Sequence, residues 1–61
     1  MEKSTKEKIE SAISFYEKRI ANFDKAIKDC ARRKDYLNAY RYQTILDELK
    51  DIKAMLENIA G

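Results

Sequence analysis

Apolar residues recur at Ile9, Ile13, Tyr16, Ile20, Phe23, Ile27 and Cys30, alternately four and three positions apart. This spacing returns to one face of an α-helix, so it predicts a helix with an apolar seam along its length. Ahead of it, Ser4-Thr5-Lys6-Glu7 has the S-x-x-E form of a capping box, which starts a helix by satisfying its orphan amides. A second series, Tyr42, Ile45, Leu49, Ile52, Leu56 and Ile59, keeps the same rhythm, with Ala39, Leu46 and Met55 widening its apolar face. It predicts a second helix of bundle type.

The two series do not join in phase. Continued past Cys30, the first falls on Lys34, Leu37, Arg41, Thr44 and Glu48, which are mostly polar. A single long helix with a local discontinuity accommodates the slip, and so does a hairpin. The hairpin uses the charges better: Arg32, Arg33 and Lys34 suit the carbonyl end of one helix, and Asp35 suits the amide end of the next as its N-cap. The expected fold is therefore all-α, with helices over 4–33 and 36–60 and a turn at 34–35. Antiparallel pairing sets Ile27 near Tyr42, Ile20 near Leu49 and Ile13 near Leu56. Ile13, Ile20, Phe23, Ile27, Tyr42, Ile45, Leu49, Ile52 and Leu56 form the expected core and oligomer seam.

Composition adds a stability problem. The chain has 61 residues, one cysteine and no histidine. An internal disulfide and the usual zinc ligand sets are thus excluded, and one small core gives little margin. Self-association, most simply a dimeric four-helix bundle, would supply the missing burial. No proline occurs and the one glycine is Gly61, so helix can run nearly throughout. No apolar run approaches the roughly 20 residues needed to cross a bilayer, and no signal-peptide pattern opens the sequence. A cytoplasmic protein without a membrane partner is expected.

The formal charge of +2 is divided unevenly. Residues 1–34 hold ten Lys/Arg against six Asp/Glu, and residues 35–61 hold three against five. A basic and an acidic helix attract when packed together. Along the first helix, Lys3, Lys6, Lys8, Lys18, Arg19, Lys25 and Lys28 alternate with Glu7, Glu10, Glu17, Asp24 and Asp29, which dilutes any phosphate-binding field.

Near the expected turn, Arg32, Arg33, Tyr36, Tyr40 and Arg41 group guanidinium and phenol side chains. These residue types pair with phosphate and stack on bases, so the group is a candidate for an anionic ligand such as RNA or a nucleotide, beside the simpler role of a solvated turn. Phe15, off the seam beside Tyr16, is a candidate contact for a second chain. Catalysis finds no histidine and no glycine-rich phosphate loop, while Cys30 falls on the apolar rhythm as a small buried thiol. Neither an enzyme nor a cofactor is expected.

Ile27, Cys30-Ala31, Asp35-Tyr36, Ala39, Tyr42, Leu46 and Leu49 resemble the UVR motif, a short helical hairpin of bacterial excision-repair nuclease subunits and other bacterial proteins. The resemblance covers residues 27–49, and it implies a hairpin that mediates protein association. Leu37, Tyr40 and Gln43-Thr44 depart from that pattern. In plan, without a matching motif, the chain is also similar to the Rop type of plasmid copy-number regulator, a hairpin that dimerises into a four-helix bundle and binds RNA. These readings imply a small self-associating regulator, adaptor or inhibitor of phage or plasmid type, with an unidentified protein partner. Binding of RNA or a nucleotide, at the turn or between subunits, is the alternative.

Overall fold

A computed structural model describes residues 4–61, so Lys3 lies outside the described residues. Two helices, α1 (Thr5–Arg32) and α2 (Tyr36–Ala60), make up nearly all of it. They lie side by side as a flat hairpin of 48 × 20 × 12 Å.

Local chemistry sets each boundary. The Ser4 side chain accepts a hydrogen bond from the Glu7 amide at 3.2 Å, the expected capping interaction at the start of α1. At the other end, the Lys34 amide donates to the Ala31 carbonyl at 3.1 Å and the Asp35 amide to the Cys30 carbonyl at 2.8 Å. This bond pair is a Schellman motif, which closes the last turn by placing the residue after the cap in the left-handed region. Lys34 occupies that place with φ 59°. Glycine usually stands there because a Cβ is disfavoured, and the absence of glycine concealed the turn's conformation from sequence reading.

Asp35 then caps α2. One carboxylate oxygen accepts from the Asn38 amide at 3.4 Å and the other from the Asn38 side chain at 2.8 Å. These bonds hold the Asp35 carboxyl below its ordinary value of 3.8, with the Arg33 and Arg41 charges adding to the effect and partial burial opposing it. Arg33 closes α1 and pairs with Asp29 at 3.3 Å, where its positive charge also suits the helix carbonyl end. Only Arg33, Lys34 and Asp35 separate the helices, and the phase slip in the apolar pattern is taken up there.

Between the helices, α1 presents Ile9, Ile13, Tyr16, Ile20, Phe23, Ile27 and Cys30, all buried or half-buried. The inner face of α2 is rotated from the expected one. Asn38, Ala39, Tyr42, Leu46, Leu49, Lys53, Leu56 and Ala60 are its buried or half-buried positions, and Leu46 is the deepest at 2% exposed. Ile45 and Ile52 stand at the edge instead, 37% and 38% exposed, and Ile59 lies open. The short turn fixes this rotation, and small Ala39 and Ala60 occupy inward positions at the two ends of α2. Lys53 fits an inward position because its aliphatic stem covers apolar surface while its ammonium reaches Glu57 at 3.0 Å. The Phe23 and Tyr42 rings meet across the hairpin with centroids 5.7 Å apart.

Candidate interaction surface

The hairpin has two broad faces, and their chemistry differs. Successive residues turn by about 100° around a helix. Around α1 the order is Glu17, then Ile13/Ile20/Ile27, then Tyr16/Phe23, then Arg19 and Phe15. Around α2 it is Lys50, then Leu46/Lys53, then Tyr42/Leu49, then Ile45/Ile52, then Ile59, Glu48 and Met55. Glu17, Ile20, Lys50, Lys53 and Glu57 line one shallow groove of about 430 Å³, so the Glu17 side of α1 and the Lys50 side of α2 share a face. The opposite shoulders share the other: Phe15 and Arg19 from α1, with Ile45, Glu48, Ile52, Met55 and Ile59 from α2.

On the groove face Lys53 pairs with Glu57. The hydrogen bond that Lys53 donates to the Glu57 carboxylate raises its ammonium above the ordinary 10.5, the Glu57 and Glu17 charges add to the effect, and burial opposes it. On the other face the large apolar side chains are open. Phe15, Met55 and Ile59 are each more than half exposed. Arg19 lies over two rings, 5.6 Å from the Phe15 centroid and 5.8 Å from that of Phe23, and Phe15 meets Tyr16 edge-on at 5.6 Å. Stacking occupies the guanidinium faces and leaves its in-plane donors for a carboxylate.

The turn group is less unified than its sequence spacing suggests. Tyr36 and Tyr40 are exposed, Tyr40 at 73%, on the outer side of α2. Arg41 lies on the side of Ile45, around the helix from both tyrosines. Arg33 is engaged by Asp29, and its guanidinium also approaches the Cys30 sulfur at 3.7 Å. Arg32 is exposed. The groove of the opposite face is lined by residues remote from the turn. Cys30 is 2% exposed, as its place on the apolar rhythm predicted.

Sequence reasoning missed the inward Lys53, the Asn38 partner of Asp35 and the left-handed Lys34. Asn38 three residues after Asp35 was a readable capping signal, whereas Lys53 lies on an alternative heptad frame that its charge conceals. No helix among the described residues is long and apolar enough to cross a membrane. No family model, curated protein or solved structure matches this chain.

Proposed function

We propose that the chain is a self-associating helical-hairpin module that works through protein–protein contact, as a cytoplasmic adaptor or inhibitor-like regulator. The exposed apolar face carries this reading. Among the described residues only Cys30, Leu46 and Leu49 are buried, while Phe15, Ile45, Ile52, Met55 and Ile59 stand open on one side. A hairpin with so small a core gains much from covering that side, since each large apolar side chain removed from water contributes about 1.5–3 kcal/mol. The UVR-like residues around the turn support the same class of role, a hairpin used for association. The test is mass by light scattering and thermal midpoint by circular dichroism over a hundredfold range of concentration. A two-chain mass and a rising midpoint are expected. A one-chain mass with a fixed midpoint would refute self-association.

The exposed Tyr36 and Tyr40 rings at the turn end of α2, with the exposed Arg32 at the end of α1, favour a second reading, capture of RNA or a nucleotide at the turn. It requires affinity for a labelled RNA that falls steeply with salt. An RNA that fails to bind at low salt ends it.

A further inference from the structure

We infer that the occupant of the apolar face is a second copy of this chain, related by a two-fold axis running along the helices, so that each Arg19 lies opposite Glu48 of the partner copy. The inference rests on the self-association proposed above and specifies its geometry.

Size and charge both support a second copy. The whole hairpin is 48 × 20 Å along its two longer axes. One broad side of that outline is on the order of 900 Å², which leaves room for the ~800 Å² per partner of a standard stable interface. Among the described residues neither Arg19 nor Glu48 has an ion-pair partner within its own chain. They stand at nearly one level. Glu17 and Ile20 share the groove with Lys50 and Lys53, so Arg19, which lies between Glu17 and Ile20, is level with residues 50–53. Glu48 is two residues from Lys50, about 3 Å along the axis.

Two stackings of this face on itself preserve symmetry. With the two-fold along the helices, the turns lie at the same end and α1 of each copy covers α2 of the other. Arg19 then meets Glu48 twice per dimer, and Phe15 meets the Ile52/Met55 end of the partner copy. With the two-fold across the helices at this level, Arg19 meets Arg19 and Glu48 meets Glu48, and Lys8 is brought toward Arg33. Like charges in contact oppose association, so the first stacking is selected. At the turn end it brings Arg33 and Arg41 of the two copies together, a repulsion that Asp29 moderates by pairing with Arg33.

The experiment is a charge-reversal matrix read by sedimentation equilibrium: wild type, Arg19→Glu, Glu48→Arg, the double variant, and an equimolar mixture of the two single variants. Both positions are exposed, and circular dichroism of each variant checks that the helices persist. Each single variant is expected to dimerise on the order of tenfold more weakly or worse, because reversal puts two like-charge contacts into the dimer. The double variant should return close to wild type. The mixture should also recover, which only contact between chains can produce. Single variants that dimerise like wild type, with a mixture tighter than wild type, would show the crossed stacking and overturn this geometry while leaving self-association intact. A dimer insensitive to every variant would place the interface elsewhere and overturn it too. A wild type that stays monomeric removes the underlying reading, and binding of that monomer to anionic lipid vesicles would make lipid the occupant.

Discussion

Helix α2 carries two apolar stripes of similar composition side by side, and only one is inside. The inner one runs through Tyr42, Leu46, Leu49 and Leu56, and the outer one through Ile45, Ile52 and Ile59. Leu46 is 2% exposed and its neighbour Ile45 is 37% exposed. Hydrophobicity alone does not choose between them, since the outer stripe is the richer in β-branched aliphatics. The choice is made by the angle at which α2 leaves the turn, by the small Ala39 and Ala60 at the ends of the inner stripe, and by a lysine able to extend out of it. A helix with an apolar arc wider than one neighbour can cover has surface left over, and in this hairpin the surplus gathers on one face with Phe15.

The largest expected effect is on the inner stripe. Leu46→Ala should lower stability by about 2–5 kcal/mol, the range for a fully buried leucine that leaves a cavity. The loss should appear at every protein concentration in urea or thermal melts. If Leu46→Ala costs less than Ile45→Ala at low concentration, the assignment of inner and outer stripes is reversed.

Next is the outer stripe. Ile52→Ser at low concentration should change stability by under about 1 kcal/mol, because the side chain is already partly in water. At high concentration the same variant should lose most of the rise in midpoint that dimerisation gives. Equal loss at both concentrations would mean that Ile52 acts within the hairpin, and the contrast between the stripes would fail.

How much was legible depended on how many heptad frames the sequence offered. On α1 one frame alone is apolar, and its residues became the seam without exception. Two frames share Tyr42, Leu49 and Leu56 on α2, and the apolar pattern favours the one continued by isoleucines over the one continued by Leu46, Lys53 and alanines. Lys53 made the correct frame look polar, because a charged head at a heptad position gives no sign that its stem is inside. The turn was placed by the phase slip and by Asp35, but the left-handed residue within it was invisible, since lysine is not selected for that conformation. Among the candidate contacts, Phe15 was recognised as lying off its seam. That it shares a face with Ile45, Ile52 and Ile59 required knowing how the two helices are rotated.

Because the turn sets that rotation, a change that keeps its left-handed conformation should alter stability without exchanging the stripes. Lys34→Gly should stabilise by about 0.5–1 kcal/mol: a Cβ in the left-handed region costs roughly 1–2 kcal/mol, and glycine's larger unfolded-state entropy offsets part of the gain. Amide hydrogen exchange should show the same protection pattern, uniformly strengthened. A destabilised Lys34→Gly variant would show that the Lys34 side chain makes a contact that outweighs its backbone strain.

The smallest effect is that of pH on Asp35. Its carboxyl titrates below the ordinary 3.8 because the charged form accepts both Asn38 hydrogen bonds. A group whose pKa is depressed by folding stabilises the fold above its unfolded value, and the contribution disappears as pH falls through the folded value. The Asp35 contribution should therefore be constant from neutrality down to about pH 5 and fade in stronger acid, below the ordinary aspartate value of 3.8. Asp35→Asn keeps a capping oxygen but carries no titrating charge, so the stability difference between wild type and Asp35→Asn should shrink as the pH drops below that value. Chemical denaturation of both proteins at pH 7 and at about pH 3 measures this directly. A difference that stays the same at both pH values would mean that the charge on Asp35 contributes nothing, and that the turn is held by backbone bonds from Lys34 and Asp35 alone.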